Sequence, residues 1–110
     1  MIIEKVLPKS VIIHIDRFSL SPHLQLEAVQ EFKELCLSSG TKVCAEVSGK
    51  IDRPSSNFFV KQGKLDEIKQ LVQSNKANLV IFNNDLTPSQ ERNLEEYLCA
   101  RVLDRTSLIL

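Results

Sequence analysis

Short apolar runs of strand length alternate along this chain with segments whose apolar residues recur at helical spacing. Residues 11–15 are β-branched except for His14, and residues 79–82 are apolar throughout, which is typical of strands buried on both faces of a parallel sheet. Residues 42–47 and 101–103 are two further strand-length segments. A strand–helix alternation of this kind is typical of parallel sheets. We therefore predict one α/β domain over residues 1–110, with a mainly parallel sheet of about four strands flanked by helices.

Capping signals mark the helices between these strands. Ser21-Pro22 is a helix start, because serine accepts a free backbone N–H and proline lacks one. Gly40 is suited to ending that helix. A second helix is predicted after Gly63, and residues 87–90, Thr-Pro-Ser-Gln, form the capping box of a third. The buried face expected of the first helix consists of Leu24, Ala28, Phe32, Leu35 and Cys36.

The structure of two segments is predicted from signals other than hydrophobic periodicity. Residues 50–57 are polar, contain proline and show no period, so they are predicted to form an exposed loop. The apolar residues 58–60 that follow are too few to assign. Residues 104–106, Asp-Arg-Thr, predict the cap of a fourth helix, with a terminal strand over residues 108–110 as the alternative.

The charge balance restricts the partners that this chain can attract. Fourteen lysine and arginine residues balance fourteen aspartate and glutamate residues, so no net field draws the chain to nucleic acid. Residues 41–76 carry seven basic residues against four acidic ones. This stretch is the one candidate for a phosphate-facing surface, and an ordinary solvated face is the alternative.

Cysteine and histidine usage gives no support for a metal site. The three cysteines are odd in number, widely spaced and set among apolar residues, so we expect them to be reduced residues of the core. His14 lies inside an apolar strand, where a hydrogen-bonded structural histidine is expected. The first residues lack the pattern of a signal peptide and no apolar run approaches a membrane span, which predicts a cytoplasmic location.

Motifs of known catalytic chemistry are missing from the sequence. A P-loop needs Gly-x-x-x-x-Gly-Lys-Ser/Thr, and the three glycines of this chain cannot supply it. Neither a Gly-x-Ser-x-Gly nor a His-Glu-x-x-His motif is present. We therefore predict no catalytic residue and no cofactor for these 110 residues themselves.

Three blocks of sequence carry a family resemblance. Residues 59–68 read Phe-Val-Lys-Gln-Gly-Lys-Leu-Asp-Glu-Ile after an Arg-Pro pair at 53–54. Residues 79–95 read Leu-Val-Ile-Phe-Asn-Asn-Asp-Leu-Thr-Pro-Ser-Gln-Glu-Arg-Asn-Leu-Glu, and residues 102–110 read Val-Leu-Asp-Arg-Thr-Ser-Leu-Ile-Leu. These blocks resemble the N-terminal domain of HflX GTPases, which are ribosome-associated GTP-binding proteins. Lys61 departs from the pattern, because the family usually has the first glycine of Gly-x-Gly-Lys there.

The resemblance implies a larger protein. A helical extension and a P-loop domain that hydrolyses GTP with Mg²⁺ are expected after residue 110, and that GTPase domain is a partner of this one. The N-terminal region of the family is expected to contact RNA of the large ribosomal subunit. A helix start with lysines can bind phosphate oxygens, so the candidate RNA contacts are Arg53, Lys61 and Lys64.

Other polar residues of the family blocks are candidates for interdomain or structural contacts. They are Asp85, Gln90, Arg92, Asn93, Asp104 and Arg105. Two alternative functions remain open on the sequence. One is a nucleotide-binding module that takes ATP or GTP at the strand ends near Asp16, Gly49 and Asn83. The other is an interaction scaffold that controls the GTPase domain through Arg92 or Asp104.

Overall fold

The computed structural model describes residues 7–17 and 21–109. Four strands and four helices alternate along them, as the sequence predicts. In chain order they are β1 (Lys9–Asp16), α1 (Pro22–Ser38), β2 (Lys42–Lys50), α2 (Gln62–Asn75), β3 (Leu79–Phe82), α3 (Pro88–Leu98), β4 (Arg101–Leu103) and α4 (Arg105–Ile109). The predicted α/β fold class is confirmed.

The four strands form one parallel sheet in the order β2-β1-β3-β4. The chain moves outward from β1 to β2 and then returns across β1 to β3, so the strand order reverses between β1 and β3. In open α/β sheets, ligands bind at the carboxyl ends of the strands beside such a reversal. That edge of the sheet carries the residues considered below.

The two faces of the sheet are covered unequally. Alternate residues of β1, such as Val11 and Ile13, belong to the larger core with α2 and α3. Ile12 lies in a smaller core together with Phe32 and Cys36 of α1. The larger core contains Leu65, Ile68, Val72, Leu94 and Leu98 from the two helices. The protein therefore has three layers, with α2 and α3 on one face and α1 and α4 on the other.

Only the second half of α1 packs as the sequence predicts. Phe32 and Cys36 are buried, but Leu24 is 49% exposed and the prediction that it lies on the buried face is wrong. Leu26 is also exposed, at 70%. A cavity of about 420 Å³ lies between the first turns of α1 and the ends of β1 and β2, and Leu26 lines it. These turns contact the sheet through Gln25, which bonds to Asp16 of β1, and not through Leu24.

The segment between β2 and α2 is more ordered than its polarity suggests. The backbone amides of Ser55 and Phe59 donate to each other's carbonyl oxygens at 3.1 and 3.0 Å, which closes a tight turn. Phe59 has φ of 66°, is buried, and meets Phe82 edge to face with ring centroids 6.2 Å apart. Ile51 is buried too, so the prediction of an exposed loop fails at that position.

The last described residues settle the choice left open for residues 108–110. Residues 105–109 are helical, and Leu108 donates its backbone N–H to the carbonyl oxygen of Asp104 at 3.1 Å. The alternative of a terminal strand is therefore wrong for the described part of this segment, and the predicted cap at Asp104 is confirmed.

Candidate functional site

A cleft of about 210 Å³ lies at the carboxyl edge of the sheet, on the side covered by α2. Its apolar floor is made by Ile15, Ile51 and Val60. Three lysines line it: Lys50 at the end of β2, and Lys61 and Lys64 at the start of α2. We call these three residues and the space between them the lysine cleft. Two of the predicted phosphate contacts are thus brought together with a third lysine.

The sequence analysis did not identify Lys50 as a phosphate contact, because it is eleven positions before Lys61 and ends a strand instead of beginning a helix. The signal that could have found it is topological. In a parallel sheet, a strand ends at the same edge at which the next helix begins. The end of β2 and the start of α2 are therefore neighbours.

Lys64 is fixed in place by its own contacts. Its Nζ donates to the carbonyl oxygen of Ser48 at 3.0 Å and pairs with the carboxylate of Glu67 at 2.9 Å. A Cβ added to Gly49 would lie 3.1 Å from Lys64 Cε, so glycine at this position leaves room for the lysine side chain. Part of the charge of Lys64 is already neutralised by Glu67.

Lys61 is the more available cation. It is exposed and occupies the N-cap position of α2, where its side chain makes no capping hydrogen bond. The first N–H groups of a helix lack intrahelical partners and carry the positive end of the helix dipole. An anion beside Lys61 would meet these N–H groups and the ammonium groups of the lysine cleft together.

Arg53 does not line the lysine cleft. It is exposed on the loop that leads to the Ser55–Phe59 turn. Two family-block residues of α3 hold this loop: Gln90 Nε2 donates to the carbonyl oxygen of Ser55 at 2.7 Å, and Asn93 Nδ2 donates to that of Asn57 at 3.0 Å. These contacts determine where the backbone that carries Arg53 lies.

Gln90 is buried and also completes the predicted capping box, since its Oε1 accepts the N–H of Thr87 at 2.9 Å. The substitution Gln90→Ala removes both bonds, so the N–H of Thr87 and the carbonyl oxygen of Ser55 lose these partners. We expect a loss of about 1–3 kcal/mol in unfolding free energy, measured by urea denaturation. Asn93→Ala is the control, because Asn93 makes one bond at a more exposed position. Equal losses in both variants would contradict this role for Gln90.

The remaining polar residues of the family blocks connect the carboxyl ends of β3 and β4. Asp104 is buried and accepts the N–H groups of Leu86 at 3.3 Å and Ser107 at 2.8 Å. Asp85 accepts a hydrogen bond from Thr106 Oγ1 at 2.8 Å. Contacts with a neighbouring domain stay a prediction for these residues. Two further members of the group are Arg105, which donates to Asn83 Oδ1 at 3.2 Å, and Arg92, which is exposed on α3.

The opposite face of the same edge holds the cavity beside α1. Asp16 and Gly49, two of the residues named for the nucleotide-binding alternative, line it. Asp16 is buried and accepts a hydrogen bond from Gln25 Nε2 at 2.6 Å. Asn83, the third residue, does not line the cavity but bonds to His14, which does.

His14 departs from the expected hydrogen-bonded histidine. Its Nδ1 lies 2.9 Å from Asn83 Nδ2, but its Nε2 is buried and has no hydrogen-bond partner among the described residues. Burial lowers the pKa of His14, against an opposing effect of Asp16 and with a smaller contribution from Arg105. The imidazole is therefore kept neutral near pH 7.

Neither a metal cluster nor a membrane-spanning helix is found in residues 7–17 and 21–109. No three histidine, cysteine, aspartate or glutamate side chains there are grouped so that they could hold a metal ion. The prediction that the cysteines lie in the core holds for Cys36 but is wrong for Cys44, which is half-buried, and for Cys99, which is exposed. No helix in this part of the chain combines the length and the apolar character needed to cross a bilayer.

A family model described as the GTP-binding GTPase N-terminal family matches residues 26–110. The chain belongs to this family. The predicted resemblance to HflX proteins is confirmed by relatives such as GTPase HflX of Escherichia coli K12, which is 37% identical over 102 residues. GTPase HflX of Thermococcus kodakarensis is 43% identical over 81 residues. The matches cover 93% and 73% of this chain but only 23% and 18% of those two proteins.

Solved structures show the same fold. A crystal structure of a GTP-binding protein from Sulfolobus solfataricus in complex with GDP superposes with a TM-score of 0.66 at 20% identity. The match covers 92% of this chain and 29% of that protein. At this identity the likeness shows a shared fold and no individual site.

Proposed function

We propose that this chain is the RNA-contacting accessory domain of a cytoplasmic HflX-type GTP-binding protein that associates with the large ribosomal subunit. A P-loop domain outside these 110 residues binds GTP with Mg²⁺ and hydrolyses the GTP. That domain is also the intramolecular partner of this one. Family membership and the GTPase names of the relatives support the larger protein. The lysine cleft is the observation that carries the RNA contact.

The lysine cleft suits a nucleic-acid backbone better than it suits a base. Ammonium groups and helix N–H groups recognise phosphate oxygens without reading sequence. Lys61 has the freedom to follow a phosphate, whereas Lys64 is fixed by Ser48 and Glu67. The loop that bears Arg53 lies farther along the same strand-to-helix connection and supplies a second contact to the backbone.

The nucleotide-binding alternative is less well supported. Only two of its three residues, Asp16 and Gly49, line the cavity beside α1, and the buried carboxylate of Asp16 there repels a triphosphate. Calorimetric titration of the chain with ATP and GTP separates the two functions. Saturable heat with either nucleotide would replace the RNA-contact proposal by the nucleotide-binding one.

The scaffold alternative predicts a different result. A domain that serves only to control the GTPase domain binds neither ribosomal subunits nor nucleotides. Changing exposed Arg92 in the full-length protein would then alter GTP hydrolysis and leave ribosome binding as it was. The RNA-contact proposal expects the reverse for changes in the lysine cleft.

We expect Lys61→Gln to weaken binding to large ribosomal subunits and to lower its salt dependence. Each lost phosphate contact should reduce the slope of log K against log salt by about 0.7–0.9. Co-sedimentation of the chain with purified subunits across a series of salt concentrations measures this slope. The matched control is Lys42→Gln, which removes the same charge at an exposed position where β2 begins, at the other edge of the sheet.

Two outcomes of that experiment would count against the proposal. If both variants lose the same affinity, net charge and not the lysine cleft determines binding. If the wild-type chain stays in the supernatant at low salt, these residues do not contact the subunit by themselves.

A further inference from the structure

The cavity beside α1 is chemically unlike the lysine cleft. Its polar side is formed by His14 and Asp16 of β1 with Ser48 and Lys50 of β2, and its other wall is apolar except for Gln25, which is bonded to Asp16. The apolar side chains come from α1: Pro22, Leu26 and Val29. A volume of about 420 Å³ is within the range of small-molecule sites, which combine apolar walls with a few polar groups.

The proton position on His14 follows from a chain of hydrogen bonds. Arg105 can only donate, so the oxygen of the Asn83 amide must face Arg105 Nη1, 3.2 Å away. The amide nitrogen of Asn83 then faces His14 Nδ1 at 2.9 Å and donates to it. Because Nδ1 accepts, the neutral ring carries its proton on Nε2.

This assignment gives the cavity a buried donor. His14 Nε2–H is almost completely shielded, and no described residue accepts from it. Buried polar groups in proteins are nearly always paired, because an unpaired group has lost its hydrogen bonds to water. The ring also lines the cavity, so an acceptor on a bound molecule can satisfy Nε2–H after a small shift.

The surroundings select the kind of acceptor. A carboxylate or phosphate would be repelled by the buried carboxylate of Asp16, whereas the attraction of Lys50, which also lines the cavity, is screened by solvent because Lys50 is exposed. An uncharged carbonyl oxygen avoids this repulsion, and an N–H beside it can donate to Asp16, since a carboxylate accepts several hydrogen bonds. The remainder of the molecule would lie against Leu26 and Val29. An amide or lactam on a small ring has all of these features.

We propose that the cavity binds a small uncharged amide or lactam, whose carbonyl oxygen accepts a hydrogen bond from His14 Nε2–H. The site is independent of the proposed RNA contact, because the two lie on opposite faces of the sheet and share only Lys50 at their rims. Failure of one proposal leaves the other standing.

Nicotinamide and nicotinate are suitable probes, because they share a ring and differ in having an amide or a carboxylate. We expect nicotinamide to shift the backbone amide resonances of His14, Ser48 and Val29 saturably in NMR titrations of the whole chain. Nicotinate should bind at least about fivefold more weakly. His14→Phe, which retains a ring without donors, should weaken nicotinamide binding by roughly fivefold. Glu96→Gln, on α3 across the sheet, is the control and should change nothing.

Several results would overturn the proposal. If no saturable chemical-shift change is seen up to the solubility limit of nicotinamide, the site does not exist. Equal or tighter binding of nicotinate, or tighter binding of ATP or GTP at the same residues, would exclude an uncharged ligand. A nitrogen spectrum of the imidazole with the proton on Nδ1 would remove the donor. The nicotinamide–nicotinate comparison uses the wild-type chain, so it decides the matter even if His14→Phe folds poorly.

Discussion

Replacing Phe82 by alanine is expected to destabilise the protein by about 3–5 kcal/mol, which is the usual cost of removing a buried phenyl ring. Phe82 is fully buried at the end of β3 and belongs to the larger core. Its ring meets Phe59 edge to face, so the turn that precedes α2 packs directly on this side chain. Loss of the ring opens a cavity between the sheet and that turn. Urea denaturation followed by circular dichroism measures the effect.

The control for Phe82→Ala is Phe58→Ala, because Phe58 is half-buried and contacts Tyr97 near the surface. Phe58→Ala should lower the unfolding free energy by clearly less than Phe82→Ala does. Hydrogen exchange adds a second readout, since the amide of Phe59, bonded to Ser55, should exchange faster in Phe82→Ala. A loss below about 1.5 kcal/mol for Phe82→Ala would show that the turn collapses onto the sheet and fills the space.

The helices and strands could be predicted because local chemistry and burial agree in them. Thr87 and Gln90 form a capping box whether or not the remainder of the fold is known, and both of its hydrogen bonds are present. The run 79–82 is too apolar for any place but the centre of a sheet, and three of its four residues are buried. In such segments the local hydrogen-bonding signals and the burial of apolar side chains predict the same helix or strand.

Where the prediction failed, the deciding contact is distant in sequence. Leu24 has the spacing of a core residue, but it lies in the first turn of α1 and belongs to neither core. Phe59 adopts a left-handed φ that bulky residues rarely take, and its packing on Phe82 accounts for it. A helical period or a strand-length run contains no information of this kind.

The two candidate sites differ because β1 presents alternate residues to opposite faces of the sheet. Ile15 lies in the lysine cleft, whereas His14 and Asp16 line the cavity beside α1. One sheet edge therefore carries a cationic site on one face and a site with a buried carboxylate on the other. The net charge of zero for the whole sequence gives no indication of this difference.

The substitution Asp104→Ala is expected to lower the unfolding free energy by about 2–4 kcal/mol at neutral pH. Its two oxygens accept the N–H groups of Leu86 and Ser107, so the substitution leaves a loop amide and a helix-start amide unpaired. Asp104 connects the β3–α3 loop to the start of α4, so its hydrogen bonds hold these two segments together at the carboxyl edge of the sheet. Asp85→Ala is the control, because exposed Asp85 makes a single bond to Thr106 and should cost much less.

In acid, the difference in unfolding free energy between wild type and Asp104→Ala should disappear. Burial raises the pKa of Asp104, but the hydrogen bonds from Ser107 and Leu86 outweigh burial and hold the pKa below its ordinary value of 3.8. A carboxyl group whose pKa is lower in the folded state stabilises the protein above the unfolded-state pKa, and this stabilisation is lost as the pH falls through the folded-state pKa. The gap in unfolding free energy should therefore be constant near neutral pH and should shrink below pH 3.8. Urea denaturation of both proteins at a series of pH values measures it, and a gap that persists unchanged in acid would show that packing, not the charged hydrogen bonds, makes Asp104 stabilising.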